Sequence, residues 1–185
     1  MQTFWQNFRK FWEPEPGAEE ALDLPMESQS KSLAWVLPRQ LAVGAFPEPS
    51  DLATLQEQGF QTIVSLCDPK EALLSPEAQT LFSCHQFTLP DSRQSLPLRR
   101  EDLAIAVDLV RQSILAKRAT YVHCLAGVER SPTVCMAYLC RYHNFQLWEA
   151  LNWLKEIHPR TGVTSDQLRV IADYLDQEMR NEAQG

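Results

Sequence analysis

The sequence predicts a single α/β domain, with helices packed on a mainly parallel sheet. Three observations carry that expectation. From residue 33 onward, short β-type runs alternate with helical ones, the order that gives a parallel sheet. Ser75-Pro76, Ser131-Pro132 and the box Thr164-x-x-Gln167 each stand at the head of an apolar helical period. The chain has 185 residues, 44% hydrophobic and 22% charged, enough for one ordinary core and incompatible with wholesale disorder.

The elements follow in order. Phe4, Trp5, Phe8, Phe11 and Trp12 form one stripe of a helix with Arg9 and Lys10 beside it, and Glu13-Pro14-Glu15-Pro16-Gly17 ends it. Two uses of the stripe stay open: docking on the domain or a partner, and peripheral membrane contact. An acidic, Ser-rich linker completes residues 1–32, the domain is expected over 33–181, and 182–185 form a tail. Ala34–Leu37 and Leu41–Phe46 read as strands around a turn at Pro38-Arg39-Gln40. Ser50 caps a helix over Asp51–Gln58, which Gly59 closes. Phe60–Cys67 is the next strand, Ser75-Pro76 opens a short helix, and His85–Leu89 is a further strand. Leu103, Val107, Val110 and Ile114 mark a helix from about Arg99 to Ala116. Ala119–His123 is a strand, and three helices close the chain: Ser131 to about His143, Leu147–Ile157 and Asp166–Met179. No internal repeat is present.

Composition excludes several classes of function. Lys plus Arg is 17 against 24 Asp plus Glu, a net charge of -7, the wrong sign for a general nucleic-acid binder. Five Cys, an odd number without a C-x-x-C pair, argue against a disulfide framework or a zinc site and for a reducing compartment. No apolar run approaches membrane-span length, and residues 1–20 lack a signal-peptide core, so a cytoplasmic location is expected.

The chemistry concentrates in Ala119–Val134, where His123-Cys124, five residues and then Arg130 lie between a strand and a capped helix. Chance would place H-C-x5-R about 0.007 times in a chain of this composition. Five residues between Cys and Arg can curl so that the backbone N–H groups of Leu125, Ala126, Gly127, Val128, Glu129 and Arg130 converge on an anion at a helix N-terminus. A phosphate held there has the Cys124 sulfur beneath its phosphorus and the Arg130 fork on its oxygens. The same dipoles favour the thiolate. Ser131 can offer its hydroxyl to the sulfur, and Gly127 permits a positive φ. Cys84, Cys135 and Cys140 read as packing.

HCLAGVERSPTV resembles the active-site loop of cysteine-dependent protein tyrosine phosphatases, most of all the dual-specificity branch. The similarity runs from about Leu41 to Leu175, through LAVGAFPEPSDLATLQEQGFQTIVSL at one end and SDQLRVIADYL at the other. The resemblance implies a five-stranded sheet, flanked by helices, and hydrolysis without metal or cofactor through a cysteinyl-phosphate intermediate. Cys124 is then the nucleophile, supported by His123, Arg130 grips the phosphate, and Ser131 aids departure of the thiolate. A general acid is also required, because the leaving oxygen must receive a proton. Asp91, in the Pro-bounded loop PDSRQSLP and 33 residues before Cys124, stands where the resembling family carries its acid; Asp68 is the fallback. Some of these phosphatases carry a resolving Cys at the end of a neighbouring strand, the place Cys67 takes here, and simple packing is its other reading.

Glu129 departs from the family pattern, since a carboxylate facing the phosphate would repel it. The loop also lacks the Lys that similar inositol-lipid phosphatases use. The expected activity is on phosphotyrosine, with phosphoserine and phosphothreonine next, in a phosphorylated protein substrate. Phosphoinositides or small phosphorylated metabolites are the alternative, ahead of a rhodanese-like sulfurtransferase and a non-catalytic phosphate-binding module.

Overall fold

Four-residue strands buried on both faces belong in the middle of a sheet, and the computed structural model, which describes residues 33–93 and 96–184, places three there. These are β2 (Leu41–Gly44), β3 (Thr62–Ser65) and β5 (Thr120–His123). With β1 (Leu33–Leu37) and β4 (Ser83–Gln86) at the edges, the order is β1-β2-β5-β3-β4. Among the described residues only the β1–β2 pair is antiparallel; the other three are parallel. The turn between β1 and β2 falls at Pro38-Arg39-Gln40 as expected, with Gln40 N–H donating to the Leu37 carbonyl at 3.0 Å. The expected α/β fold with a five-stranded, mostly parallel sheet is therefore present.

Register decides where loops gather. Gly44, His123 and Ser65 are level across β2, β5 and β3, and Gln86 is level with Ser65. The four segments that follow these strands leave from one edge, the place where open α/β sheets assemble binding loops.

On one face, α1 (Leu52–Glu57) and α2 (Pro76–Leu81) pack Leu52, Leu55 and Ala78 over Ala42, Ile63 and Tyr121. On the other lies α4 (Arg130–His143), in contact with α3 (Arg100–Leu115), α5 (Leu147–Ile157) and α6 (Ser165–Gln184). Every residue of α4 from Arg130 to Cys140 is buried, as suits a helix apolar almost all round. Ser75 Oγ accepts the Ala78 N–H at 3.1 Å, and the Thr164–Gln167 box closes at 2.9 and 3.2 Å, so both N-terminal signals act as read.

The strands expected at Leu41–Phe46 and Phe60–Cys67 are shorter, Leu41–Gly44 and Thr62–Ser65, and four further boundaries differ from expectation. The strand expected at His85–Leu89 is β4, Ser83–Gln86: an edge strand, mostly half-buried, needs no apolar alternation. Ser50 caps nothing; a 3-10 turn, Pro49–Asp51, precedes α1, with the Glu48 N–H donating to Asp51 Oδ2 at 2.9 Å. The helix read from Ser131 begins one residue earlier, at Arg130. The last helix runs from Ser165 through Gln184, so 182–184 prolong it and do not form a separate tail. Arg141 holds that end against α4 through Glu178 at 3.3 Å and Glu182 at 2.8 Å. The aromatic stripe and linker of 1–32 lie outside the described residues. Among those described, no helix is long and apolar enough to cross a membrane.

Candidate active site

The loop 124–129 takes its shape from the carbonyls around its outside. The Phe46 N–H donates to the Leu125 carbonyl at 3.1 Å, and the Gly162 N–H to that of Val128 at 2.8 Å. His158 Nε2, which carries the proton because its partner is an acceptor, donates to the Gly127 carbonyl at 2.8 Å. Burial lowers the His158 pKa and keeps the ring neutral. In a trans peptide each carbonyl points opposite the following N–H. Tying three carbonyls outward therefore turns the amides of Ala126, Val128 and Glu129 inward, which builds the anion nest at the start of α4.

Gly127 is required twice over. Its φ is +69°, and a Cβ there would stand 2.7 Å from Ala45 N and from Gly44 C. The loop is curled tightly against the end of β2, and no side chain fits between.

Cys124 follows β5 directly and is 2% exposed. Ser131 Oγ, fully buried one residue into α4, lies 3.4 Å from the sulfur and 3.1 Å from the Gly44 carbonyl. Its single proton is placed to serve either acceptor. His123 is buried with Nδ1 3.4 Å from the Cys124 carbonyl, and Phe46 meets its ring edge-on. Burial pulls its pKa down to about 4, so it is neutral and structural at physiological pH. Glu129 is half-buried, with Oε2 buried and without a hydrogen-bond partner, and its carbonyl accepts from the Thr133 backbone and hydroxyl.

Arg130 brings in a residue that the sequence reading missed. Nη1 and Nη2 donate to Oε2 and Oε1 of Glu71, both at 2.7 Å. Nη1 also meets the Leu66 carbonyl at 3.3 Å, and Nη2 meets Asp91 Oδ2 at 3.3 Å. Arg130 holds the Glu71 carboxyl below its usual range, chiefly by hydrogen bonding. The bidentate pair fixes the plane of the guanidinium. Asp68, the fallback acid, serves this turn instead: its carbonyl accepts the Glu71 N–H at 2.8 Å, and its carboxylate accepts that of Lys70 at 2.8 Å. The available signal for Glu71 was an acidic residue just past a strand beside the one that carries Cys124.

Asp91 is brought to the same cluster, 8% exposed. Arg93 lies along its carboxylate, Nε to Oδ1 at 2.8 Å and Nη2 to Oδ2 at 3.0 Å. Those bonds, more than the charge of Arg130, bring the Asp91 pKa down to about 2. Cys67 is fully buried two residues past β3, and Cys124 is one past the neighbouring β5. Burial pushes the Cys67 thiol up to about 11, with Cys124 close enough to add to the shift. Cys135 and Cys140 are buried in α4, and Cys84 packs beside the core.

Inward amides, a buried thiol and an oriented guanidinium are a site for holding a phosphate over sulfur. The class is thiol-based phosphate-ester chemistry on an α/β scaffold. Comparison with known proteins makes it specific: the model of the family described as dual specificity phosphatase, catalytic domain, matches residues 41–177, and the chain belongs to that family. It is 26% identical over 141 residues to the phosphatidylglycerophosphate phosphatase PTPMT1 of Arabidopsis thaliana, covering 76% of this chain and 42% of that protein. It is 48% identical over 59 residues to human dual specificity protein phosphatase 14, covering 32% of this chain and 30% of the relative. The chain thus spans about half the length, or less, of these curated relatives. A crystal structure of PTPMT1 in complex with PI(5)P superposes with TM-score 0.69 at 19% identity, over 78% of this chain and 95% of that one. The human tyrosine phosphatase-like serine/threonine/tyrosine-interacting protein gives TM-score 0.71 at 19% identity, over 81% and 99%. At such identities the likeness is one of fold.

Proposed function

We propose that this domain hydrolyses the phosphomonoester of a glycerophospholipid headgroup through a cysteinyl-phosphate intermediate. The observation that carries the lipid reading is a set of exposed leucines on the loops that form the site. Leu73, Leu96 and Leu125 are 58%, 71% and 39% exposed, each on a loop that bears Glu71, Asp91 or Cys124. Exposed leucines beside a polar site suit an amphiphile whose headgroup enters while its chains stay outside. The relative named as a phosphatidylglycerophosphate phosphatase, aligned over most of the domain, supports the same reading. The lysine-free loop fits a singly phosphorylated headgroup better than a polyphosphorylated inositol. The aromatic stripe of residues 4–12, with Arg9 and Lys10, suits contact with a lipid surface.

In this reading the Cys124 thiolate attacks phosphorus as the ester P–O bond breaks. The nest amides and Arg130 hold the equatorial oxygens, and Asp91 gives its proton to the leaving oxygen. Water then attacks the cysteinyl phosphate, losing its proton to Asp91, while Ser131 donates to the departing sulfur.

A phosphotyrosine protein is the second reading, favoured by the 48% identity over 59 residues with dual specificity protein phosphatase 14. The test is kcat/KM under reducing conditions with chelator, on short-chain phosphatidylglycerophosphate, phosphatidate, phosphoinositides and phosphotyrosine, phosphothreonine and phosphoserine peptides. Cys124→Ser serves as the inactive control. Preference for a lipid phosphomonoester is the expected result; preference for the phosphotyrosine peptide overturns it.

A further inference from the structure

The arrangement of Asp91 is at odds with the work asked of it. Oδ1 accepts from the Arg93 backbone N–H at 3.0 Å and from Arg93 Nε at 2.8 Å; Oδ2 accepts from Arg93 Nη2 at 3.0 Å and Arg130 Nη2 at 3.3 Å. A carboxylate filled by four N–H donors has no place for the proton that a general acid must carry. Arg130 is also held by Glu71, and an incoming phosphate takes up its charge. Arg93 is different: its side chain is 77% exposed against 11% for Asp91, and an exposed arginine leaves such a pair at little cost. Two carboxylates also act on this pair: Glu71, from the loop after β3, and Glu129, which acts on Arg93 from the start of α4. Within residues 124–130 the phosphate loop carries one cation, Arg130.

We propose that Arg93 is the receptor for a second anionic group of the substrate, a phosphodiester one glycerol away from the scissile phosphomonoester. Seating that group draws Arg93 off Asp91 and frees the carboxyl to take up and deliver its proton. The proposal rests on the lipid reading above and names the headgroup within it. A guanidinium that exchanges one bidentate oxyanion for another keeps its own charge paired, and the carboxylate it leaves is neutralised by the proton it takes up. The substrate thereby arms the acid. With Arg93 gone, the largest cause of the acidity of Asp91 goes too, and the carboxyl holds its proton to higher pH. A phosphomonoester that lacks the second anion leaves Arg93 in place and reacts slowly, above all when its leaving oxygen is an alkoxide.

The test compares dihexanoyl phosphatidylglycerophosphate with dihexanoyl phosphatidate, on the full chain and on Arg93→Gln and Arg93→Lys. Melting curves of the variants confirm folding. Wild type should favour the two-anion lipid by about tenfold in kcat/KM, a single charge-assisted contact. Arg93→Gln should bring the two substrates within about twofold, and Arg93→Lys should fall between. On phenyl phosphate, the basic limb of the pH–rate profile should move to higher pH in Arg93→Gln, a change that a merely structural role would not produce. A lipid preference that Arg93→Gln leaves intact, or an unmoved basic limb, overturns the proposal while the lipid reading stands. A wild type that prefers phosphotyrosine peptide to both lipids overturns the two together.

Discussion

Gly127→Ala tests the claim that the phosphate loop is pressed against the end of β2. The residue sits at φ +69°, where an L side chain costs about 1–2 kcal/mol. The new Cβ would also stand 2.7 Å from Ala45 N and Gly44 C. These are backbone atoms, so no rotamer change relieves the clash, and overpacking of this kind costs about 1–3 kcal/mol. Together the penalty is about 2–5 kcal/mol. A chain of this size loses about 2–4 °C of Tm per kcal/mol, so melting should fall by roughly 4–20 °C. If the loop lifts off β2 instead, the strain leaves the fold and appears in the site: the thermal stabilisation that vanadate or phosphate provides should disappear, together with hydrolysis of nitrophenyl phosphate. The assay is a thermal melt with and without oxyanion, paired with kcat/KM. A variant that melts within about 2 °C of wild type and keeps its oxyanion stabilisation would refute the packing argument.

Asp91→Asn should lower kcat on dihexanoyl phosphatidylglycerophosphate by about 10²- to 10³-fold with little change in KM, and far less on nitrophenyl phosphate, whose leaving group needs little protonation. Its basic pH limb should vanish; an unchanged limb returns the role to Asp68. Glu71→Ala should raise KM and cut kcat/KM by roughly 30-fold or more, because it leaves Arg130 buried without its carboxylate, whereas Glu71→Gln, which still accepts one bond, should fall between. The Glu71 carboxyl is held below its ordinary 4.5, so the pair stabilises the fold above that pH and loses its contribution as acidification protonates it, and Glu71→Gln should flatten acid denaturation there. Mild peroxide should inactivate the enzyme reversibly, with a Cys67–Cys124 linked peptide in the oxidised protein, and Cys67→Ser should make the loss irreversible; equal recovery of both proteins returns Cys67 to packing. Removing residues 1–30 should leave kcat on nitrophenyl phosphate within a few-fold while abolishing liposome binding, measured by sedimentation; retained binding would sink the surface-contact reading.

Signals that act within one stretch of chain were legible in the sequence. The H-C-x5-R spacing is such a signal, because five residues between strand and helix are a length that can curl around an anion, although the bonds that hold the curl come from distant residues. Gly127 is another, since the need for positive φ is local; so are the Ser75 cap and the Thr164–Gln167 box, which close within three residues. The mainly parallel sense of the sheet followed from the alternation of strands with helices, and β3 does lie parallel beside β5, with Cys67 and Cys124 just past the two strand ends. What lay beyond the sequence depends on groups that meet across the sheet. Glu71 reaches Arg130 over a separation of 59 residues, and His158 reaches the Gly127 carbonyl over 31. Neither has a periodic or spacing signature, since a hydrogen bond is chosen by distance after the sheet has set its register. Arg93 is the subtler case. Its neighbour Asp91 was visible two residues away, but only the folded loop decides that the guanidinium turns back along the carboxylate, because a turn of the backbone sets which exposed charges can meet. Local chemistry wrote the nest and the nucleophile into the chain, while the orientation of Arg130 and the state of the acid were settled by tertiary packing, which alone brings distant charges within reach of one another.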